Sequence, residues 1–426
     1  MTAHYSLRCL QTGTEFDDAD LPLSNPRATR PAFLRAMYRQ KLFAPDTFDR
    51  GLYRFLDWLP IRRTLEGSSA PVTYQSSALA AHLGLERLFI TFSGYWPERD
   101  VRMLTGTFKE CEAFSVCARI PADYRRTLVV ASAGNTARAF IRVCSCNDIP
   151  LLVVVPEANL GAIWSLGPVG PTVRVIAAGG DSDYSDAIAL ASTIASLPGF
   201  VTEGGAQNVA RRDGMGTTVL SAVDAIGEIP DHYFQAVGSG TGAIAAWEAN
   251  LRLADTGAYG DRKMRLHVSQ NAPFTPIHDA WTRRSPQILP IDESVARRQI
   301  GKIRAKVLAN RNPPYGVMGG LYDALVDTGG TTGVVTNRAA DSAARLFARL
   351  EGVDVEPAAS VAVAHLIAAV RAGQVGPDQI VMLNVTGGGF ARILAAEDVR
   401  QVRPDATITR AQFDPSTVEY IVKGLF

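Results

Sequence analysis

Residues 128–137 read Leu128-Val-Val-Ala-Ser-Ala-Gly-Asn-Thr-Ala137, an apolar run followed by small residues and then by a helix-forming stretch. This order predicts a buried β-strand, a tight loop and the first turn of a helix. Two later segments repeat it, and they read Phe234-Gln-Ala-Val-Gly-Ser-Gly-Thr-Gly242 and Val381-Met-Leu-Asn-Val-Thr-Gly-Gly-Gly389. Three such units predict an α/β fold with ligand-binding loops at the carboxyl ends of its strands.

Small residues in these loops let backbone N–H groups approach a ligand closely, and a helix N-terminus favours an anion. Glycines after strands also make simple turns, and each loop taken alone fits that interpretation better. Their recurrence in one chain favours anion or cofactor binding. None of the loops is a P-loop, since no Gly-Lys-Ser/Thr follows, and residues 238–242 lack the third glycine of the dinucleotide fingerprint.

From about residue 71 onward, short β-branched runs alternate with Ala-rich helical stretches. This alternation predicts βαβ units and parallel sheets covered on both faces by helices. The predicted strands are Leu128–Ala131, Leu151–Val155, Val173–Ala177, Phe234–Val237, Arg265–Ser269 and Gln379–Val385. The predicted helices are Asn135–Cys146, Asp183–Ser196, Ala243–Ala254, Ala339–Leu350 and Ser360–Ala372.

The first 70 residues differ from the remainder, because they are rich in Arg, Asp, aromatic residues and prolines. We expect them to form an extended arm with short helices wrapped on a larger body, without a core of their own. The Pro- and Gly-containing stretch Pro198–Gly216 is the best candidate for a passage between two lobes.

Composition bounds the function of the chain. Among 426 residues, 47% are hydrophobic and 20% charged, and 43 Lys and Arg nearly balance 42 Asp and Glu. This balance provides no global basic field for a nucleic acid or an anionic membrane. The aliphatic run Leu151–Val155 is too short to span a bilayer, no secretory signal is visible, and five cysteines make no disulfide framework. We therefore expect a soluble cytoplasmic enzyme with reduced thiols.

Lys109 is the candidate for chemistry, in the segment Thr105-Gly-Thr-Phe-Lys-Glu110 at the start of an amphipathic stretch. The positive end of a helix dipole disfavours an ammonium group, and a free amine forms Schiff bases with aldehydes. A lysine in isolation is more often a solvated surface residue, so the assignment depends on its neighbours.

Together, four segments resemble the threonine-synthase-like group of pyridoxal-phosphate (PLP) enzymes of the tryptophan-synthase-β type. They are residues 105–109, 132–136, 238–242 and 386–388, in the same order as in that group. The resemblance implies PLP as cofactor and a two-lobed fold type II with parallel or mixed sheets, helices on their faces and an N-terminal arm. It implies an arm at 1–70, a large domain at 71–99 and 215–426, and a small domain at 100–214.

The resemblance also implies roles for single residues. Lys109 would bind the cofactor as a Schiff base and act in catalysis, and Asn135 would face the 3′-oxygen of the cofactor. The phosphate cradle would be Gly238, Ser239, Gly240, Thr241 and Gly242. Thr386 would place a hydroxyl at the pyridine nitrogen, which weakens the electron sink and suits elimination and replacement at the β-carbon. The substrate carboxylate would lie on Ser132, Ala133, Gly134, Asn135 and Thr136.

Longer stretches resemble one branch of this group, whose members join O-phospho-L-serine and sulfite to give L-cysteate and phosphate. They are residues 51–60, 92–97, 208–216, 269–274 and 313–320. The resemblance therefore implies a PLP-dependent β-replacement on a small anionic amino acid, by a chain that forms a dimer or trimer. The alternatives are a threonine-synthase-like or Ser/Thr ammonia-lyase activity and, from another class, a non-catalytic α/β ligand-binding protein.

Both proposed substrates are anions, so the site needs more positive charge than the cofactor phosphate requires. The candidates are Arg102, Arg138 and the pair Arg211-Arg212, and we assign substrate binding to the pair, whose guanidinium forks suit phosphate and sulfonate. Surface arginines paired with acids are an equally good interpretation of either residue alone.

Two departures from the group narrow the prediction. Its members often open with a Cys-x-x-Cys pair, but Cys9 is followed by Thr12, so we expect no zinc site and no other metal. The lysine segment reads Thr-Phe-Lys-Glu-Cys-Glu, which argues against the substrate of true threonine synthases. We expect His365, inside an apolar run, to be a core histidine with its hydrogen bonds satisfied. Glu356 either closes the floor of the site or caps the helix that follows.

Overall fold

The computed structural model describes residues 4–49 and 51–426. Strands are numbered in chain order: β1 (Tyr5–Cys9), β2 (Glu15–Phe16), β3 (Leu34–Tyr38), β4 (Val72–Gln75), β5 (Arg87–Phe92), β6 (Tyr95–Trp96), β7 (Val101–Arg102), β8 (Thr127–Ala131), β9 (Leu151–Pro156), β10 (Trp164–Leu166), β11 (Val173–Gly179), β12 (Phe200–Thr202), β13 (His232–Ala236), β14 (Arg265–Asn271), β15 (Thr331–Val335), β16 (Ile380–Val385), β17 (Val399–Gln401) and β18 (Ala406–Thr409).

The α-helices are α1 (Ala78–Leu83), α2 (Lys109–Arg119), α3 (Asn135–Cys146), α4 (Tyr184–Ala195), α5 (Val209–Ile226), α6 (Thr241–Thr256), α7 (Pro276–Thr282), α8 (Glu293–Lys302), α9 (Leu321–Asp327), α10 (Asn337–Glu351), α11 (Pro357–Arg371), α12 (Phe390–Ala396) and α13 (Pro415–Lys423). Each strand and helix that the sequence predicts is present, with ends that differ by a few residues at most. None of the helices in the described ranges is long and apolar enough to cross a membrane.

The larger sheet has the strand order β15-β14-β13-β16-β5-β4, and its neighbours run parallel except for β4 at the edge. Its central strands β13 and β16 are buried along their whole length, as expected for a parallel sheet covered on both faces. Because these strands are parallel, their carboxyl ends meet at one edge of the sheet. The loops after β13 and β16 are therefore brought together.

The smaller sheet has the order β12-β8-β9-β11-β18, and every neighbouring pair is parallel. Helices α3 and α4 pack against it, and α13 packs against α4. The last strand of this sheet comes from residues 406–409, which the sequence analysis assigned to the large domain. That boundary is corrected here, since β18 pairs with β11 from Ile176 to Gly179 and extends the smaller sheet.

The N-terminal arm is a three-stranded antiparallel sheet in the order β2-β1-β3, followed by a 3-10 helix at Leu52–Trp58. Its apolar residues belong to the same hydrophobic cluster as the larger lobe, so it has no separate core. Polar contacts also fix it: Tyr38 donates to Asp213 at 2.6 Å, and Arg119 forms a buried ion pair with Asp18 at 2.5 Å.

The stretch expected to be a passage between lobes contains the start of a buried helix. Residues 209–223 of α5 are all buried, and α5 packs against both α2 and α6. Two glycines in α5 serve helix packing and do not form a turn. A Cβ on Gly214 would overlap the carbonyl oxygen of Cys111 in α2, and one on Gly216 would lie 3.3 Å from the carbonyl oxygen of Ala245 in α6.

Three histidines meet inside the larger lobe, a cluster that no local spacing in the sequence indicates. Nδ1 of His232 lies 2.9 Å from Nε2 of His267, and the rings of His267 and His365 lie 6.2 Å apart. His365 is a core residue as predicted, but its Nδ1 has no hydrogen-bond partner in the described residues, so it is not satisfied. Burial lowers the pKa of His267 to about 2 and that of His365 to about 4.

Candidate active site

One cavity lies between the carboxyl ends of the two sheets, and residues from all four segments singled out in the sequence line it. Its lining consists of Phe108, Lys109, Asn135, Gln235, Ala236, Val237, Gly238, Ser239, Gly240, Thr241, Gly242, Val307, Leu308, Glu356, Ala358 and Thr386. All of the residues predicted to bind the cofactor line this cavity. A reactive amine, a glycine-rich loop and two polar side chains therefore face one small space.

Lys109 is the first residue of α2, and its amine is paired with a carboxylate that the sequence analysis did not single out. Its Nζ lies 3.0 Å from Oε2 of Glu112, which is fully buried. The other oxygen of Glu112 accepts from Thr136 at 2.9 Å and pairs with Arg211 at 3.0 Å. Burial acts to raise the pKa of Glu112, but Arg211 and then Lys109 outweigh it and lower that pKa below its usual value. The carboxylate of Glu112 thus favours the ammonium form of Lys109, whereas the positive end of the helix dipole disfavours it.

The glycine-rich loop connects β13 to α6 and presents an anion site. Gly240 precedes the first residue of α6 with a φ of +80°, a conformation that glycine adopts without strain. The first N–H groups of α6 have no partners within the helix and point along the start of its dipole. The hydroxyl groups of Ser239 and Thr241 lie 2.8 Å apart in the same loop. This donor set fits a phosphate group.

The third glycine-rich loop has a different role from the second. The N–H of Gly388 donates to Gly106 at 3.0 Å, and that of Gly389 donates to Asp354 at 2.9 Å. These donors are therefore engaged within the protein and do not form an anion cradle. Instead, the loop positions Thr386, whose carbonyl oxygen accepts from the N–H of Phe108 at 2.9 Å, beside the lysine segment.

Asn135, the first residue of α3, is held between a cation and a carboxylate. Its Oδ1 accepts from Nη2 of Arg138 at 2.7 Å, and its Nδ2 donates to Oε1 of Glu356. Burial raises the pKa of Glu356 above its usual value, although Asn135 and Arg138 oppose this. Glu356 makes no side-chain cap on α11, and it lines the cavity, which favours the first of the two roles expected for it.

The loop of residues 132–136 is held by its own side chains. Oγ of Ser132 accepts from the N–H groups of Gly134 at 3.1 Å and Ala137 at 3.0 Å. Within this loop only Asn135 lines the cavity, while Thr136 points to Glu112. Its backbone therefore stands at the rim of the cavity, on the side of the smaller lobe.

The two arginines predicted to bind substrate occupy different places. Arg211 is flanked by two carboxylates, Glu112 at 3.0 Å and Glu203 at 2.5 Å, and reaches the site only through Glu112. Arg212 is fully buried, pairs with Glu248 at 2.8 Å and donates to the carbonyl oxygens of Ala206 and Leu34. The substrate-binding role expected for Arg212 does not fit this position, because its side chain is fully buried, ties the arm to the larger lobe and does not line the cavity.

Residues 303–312 form a segment that contributes to the wall of the cavity, and we call it the cover segment. Val307 and Leu308 line the cavity, and Val307 lies 3.6 Å from the position that a Cβ on Gly134 would take. Arg311 ties the segment to the smaller lobe through Asp183 at 2.9 Å and Oγ of Ser185 at 3.0 Å. Nothing in the local sequence indicated this cover, since it depends on how the two lobes meet.

The cysteines and acids of the described residues are relevant to metal-ligand clusters and to thiol pairs. No cluster of three or more His, Cys, Asp or Glu able to hold a metal ion exists within residues 4–49 and 51–426. The Sγ atoms of Cys117 and Cys144 lie 3.7 Å apart as free thiols between α2 and α3, a pair that the spacing of cysteines along the chain did not suggest.

Sequence reasoning missed Glu112 and the contacts that Arg138 and Glu356 make with Asn135, and the signals for these differ. Glu112 lies three residues after Lys109, which on a helix places the two side chains on one face. Arg138 lies three residues after Asn135, and the same rule applies. In contrast, the contact of Glu356 with Asn135 joins residues 221 positions apart and has no local signal.

Comparison with known proteins gives a matching family and several similar relatives. Residues 74–387 match the family described as "Pyridoxal-phosphate dependent enzyme". A cysteate synthase of Methanoculleus marisnigri is 47% identical over 428 residues, covering 100% of this chain and 97% of that protein. A cysteate synthase of Methanosarcina barkeri is 44% identical over 406 residues, covering 95% and 96% of the two chains.

Solved structures share the fold at low sequence identity. An L-serine ammonia-lyase from Rhizomucor miehei superposes with a TM-score of 0.57 at 16% identity, covering 76% of this chain and 96% of that one. Maize serine racemase superposes with a TM-score of 0.55 at 15% identity, covering 75% and 88%. At such identities these likenesses establish the fold alone.

Proposed function

Because the chain belongs to the pyridoxal-phosphate-dependent enzyme family, we propose that it replaces the phosphate of O-phospho-L-serine by sulfite and releases L-cysteate and inorganic phosphate. In this reaction the bond between Cβ and the phosphoester oxygen breaks and a bond between Cβ and sulfur forms. The observation that carries the proposal is the likeness to cysteate synthases along nearly the whole chain, at 44% to 47% identity.

The residues present fit PLP, which is the cofactor of this family. The N-terminus of α6 with Ser239 and Thr241 would hold its phosphate, Lys109 would bind its aldehyde, and Thr386 would face its ring nitrogen. When bound, PLP supplies an electron sink for the carbon atoms of an amino acid. The hydroxyl of Thr386 is neutral, so the site does not force a proton onto that nitrogen.

The chain's own residues account for the remaining requirements. The amine of Lys109 is the group that takes the proton from Cα of the substrate, and Glu112, 3.0 Å away, stabilises the ammonium that results. In the loop of residues 132–136, the N–H groups of Ser132 and Gly134 donate to Val154 and to Oγ of Ser132. Those of Ala133, Asn135 and Thr136 would therefore hold the substrate carboxylate. Val307 and Leu308 exclude water, which would otherwise compete with sulfite at Cβ.

Arg211 is proposed to act on the anionic substrates indirectly. It pairs with Glu203 as well as Glu112, so it sets the charge balance around Lys109 without offering a free fork. The charge of Arg211 balances Glu203, and the charge of Lys109 balances Glu112. Neutralising Arg211 should therefore raise the KM for phosphoserine or sulfite while PLP stays bound.

The division into domains is part of the same proposal. The arm comprises residues 1–70, and the small domain is proposed at residues 100–214 together with 406–426. The large domain is proposed at 71–99 and 215–405. We further propose a cytoplasmic homo-oligomer of two or three chains, which light scattering on the purified protein would count.

One assay tests the reaction. Purified, PLP-loaded protein is supplied with O-phospho-L-serine and sulfite, sulfide or no nucleophile, and phosphate and amino-acid products are measured. We expect L-cysteate and phosphate in equal amounts with sulfite. Phosphate with pyruvate and ammonia whatever the nucleophile would indicate an ammonia-lyase instead, and turnover of O-phosphohomoserine to threonine would indicate a threonine synthase.

Two lysine variants show whether the chemistry belongs to this cavity. Lys109→Ala should lose turnover and the visible absorbance of lysine-bound PLP while the far-UV circular dichroism is unchanged. Lys306→Ala is the matched control, because Nζ of Lys306 in the cover segment is bonded to the carbonyl oxygens of Ile300 and Gly301 at 2.8 and 2.7 Å. Borohydride reduction should fix PLP to Lys109 in the control protein. Retention of absorbance and activity in Lys109→Ala would refute the assignment.

A further inference from the structure

We propose that Arg138 is a positioning residue that fixes the amide of Asn135 with its N–H groups toward the cavity. The inference rests on the proposed use of the cavity for PLP, and it concerns a residue that does not itself line the cavity. It starts from the chemistry of an amide, whose oxygen only accepts hydrogen bonds and whose nitrogen only donates them. Which end faces a ligand decides whether the ligand is bound by a donor or by an acceptor.

Both neighbours of the Asn135 amide select the same orientation. A guanidinium has donors only, so the atom 2.7 Å from Nη2 of Arg138 must be the amide oxygen. An ionised Glu356 has acceptors only, so the atom beside it must be the amide nitrogen. The nitrogen carries two N–H groups, and one of them remains for an acceptor oxygen in the cavity.

Arg138 is built for a fixed position. It is 6% exposed, and its guanidinium lies 4.8 Å from the ring centre of Trp164 and 5.7 Å from that of Phe390. Its Nη1 donates to the carbonyl oxygen of Ala162 at 3.0 Å. Aromatic faces attract a guanidinium and hold its plane, so Arg138 has little freedom to turn away from Asn135.

Glu356 and Glu110 face Arg138, but neither forms an ion pair with it in the described residues. Within the described part of the chain no carboxylate lies within the 4.0 Å of an ion pair to Arg138, and its buried Nε has no hydrogen-bond partner. Neighbouring Arg142, one turn later on α3, pairs with Glu110 at 3.2 Å. A carboxylate beside Arg138 would compete for its donors, whereas here the amide oxygen of Asn135 is the side-chain acceptor that it meets.

Burial lowers the pKa of Arg138 to about 10, so the guanidinium is charged at neutral pH and remains a donor there. The charged groups that face it from the surrounding elements are Glu356 and Glu110, which both favour the charged form. The orientation of Asn135 is therefore maintained throughout the neutral range.

The first experiment measures the orientation directly, in the protein without PLP. In protein labelled with ¹⁵N-asparagine, the side-chain amide signals of Asn135 are identified by their loss in Asn135→Asp. We expect two sharp, well-separated proton signals in the natural protein. In Arg138→Met, which removes the donor and keeps much of the side-chain volume, the pair should broaden and move toward the values of an unconstrained amide. Arg138→Lys, which restores a charged donor, should recover part of the separation.

The second experiment measures what the orientation does for the cofactor. Losing a donor to a charged oxygen should weaken PLP binding about tenfold in Arg138→Met and shift the pH titration of the visible absorbance of lysine-bound PLP. Asn135→Asp keeps an acceptor for Arg138 but has no N–H, so it should weaken binding at least as much. In the Asn135→Asp background, Arg138→Met should add almost nothing, because the group through which it acts is gone.

Arg142→Met is the matched control, because it removes an arginine from the same helix without touching Asn135. It should lower thermal stability and leave the amide signals and the PLP titration unchanged. Unchanged amide signals in Arg138→Met, or an equal loss of PLP affinity with and without Asn135, would overturn the proposal. A natural protein that binds PLP normally but makes no L-cysteate would refute the proposed reaction and leave the role of Arg138 standing.

Discussion

At the scale of single residues, the free energy lost when an ion pair is broken depends on how deeply the pair is buried. Glu112 is fully buried and serves Lys109, Thr136 and Arg211 together. Glu228, by contrast, is 36% exposed and pairs with Arg87 at 2.6 Å and Arg262 at 3.3 Å on the surface. Breaking a buried pair leaves an uncompensated charge out of water, whereas a surface partner is simply hydrated.

We predict that Glu112→Gln lowers the free energy of unfolding by about 3 kcal/mol, while Glu228→Gln lowers it by less than about 1 kcal/mol. The pKa of Glu112 is lowered in the folded protein, so its contribution is present above the pKa of the unfolded chain and is lost as pH falls through the folded value. Urea unfolding of both variants at pH 7 checks the contrast. Equal effects would mean that Glu112 is hydrated in solution.

At the scale of elements, the contact between α2 and α5 sets the position of Lys109. Gly214 of α5 lies so close to α2 that a Cβ would overlap the carbonyl oxygen of Cys111. The backbone of α2 can make room only by moving away from α5, and Lys109 is its first residue. A methyl group at a position that does not line the cavity should therefore disturb the reactive amine.

We predict that Gly214→Ala lowers PLP affinity. It should also lower the free energy of unfolding by about 1–3 kcal/mol, as for overpacking in a core, and with it the midpoint temperature of unfolding. Gly301→Ala is the control. Gly301 also lies in a helix, α8, and a Cβ there would meet nothing within 4 Å, so the change should be neutral or stabilise by up to about 1 kcal/mol. Thermal scans and PLP titrations should show losses in Gly214→Ala and none in Gly301→Ala, and a harmless Gly214→Ala would contradict the packing argument.

Elements also mark where sequence patterns succeed and fail. The strand–loop–helix units could be predicted because strand period, small loop residues and helix propensity all lie within ten residues of one another. The start of α5 could not, because glycines that accommodate a neighbouring helix look the same in sequence as glycines that make a turn. Likewise, the roles of Arg212 and Glu356 were ambiguous in the sequence. Arg212 pairs with Glu248, 36 residues away, and Glu356 contacts Asn135, 221 residues away, so no local pattern indicates either contact.

At the scale of the whole molecule, the cover segment joins the two lobes across the site. Arg311 pairs with Asp183 at 2.9 Å, and both side chains are less than a quarter exposed. We predict that Arg311→Met opens the cover and admits water, so that more phosphate is released than L-cysteate is formed. A pair of this exposure contributes about 1 kcal/mol, or about a fivefold change in the closed population.

The ratio of phosphate to L-cysteate measures this leakage. Arg400→Met, which breaks the exposed pair with Asp398 at 2.6 Å, is the control and should keep the ratio at one. A ratio of one in Arg311→Met would show that Val307 and Leu308 stay closed without the ion pair.

The histidine cluster makes the stability of the molecule depend on pH. An unfolded histidine binds a proton near pH 6.5, whereas His365 in the folded protein does so only near pH 4 and His267 near pH 2. Below pH 6.5 the unfolded state therefore holds more protons, and stability is lost as pH falls. Above pH 6.5 the contribution is fully present.

We predict that His365→Leu reduces the slope of unfolding free energy against pH by about 1 kcal/mol per pH unit between pH 4.5 and 6. Among the residues that the structure describes, the Nδ1 of His365 has no hydrogen-bond partner to lose, so the variant should fold. Urea unfolding across that range measures the slope, and an unchanged slope would mean that His365 titrates normally.

The pairing of β18 with β11 bears on how the protein emerges from the ribosome. The strand Val173–Gly179 is synthesised more than two hundred residues before its edge partner Ala406–Thr409. At 5–20 residues per second this delay is roughly 10–45 s, during which a buried apolar strand is an open sheet edge. The lobe that carries Asn135 is thus finished last, and the nascent chain needs protection from self-association until residue 409 has cleared the exit tunnel.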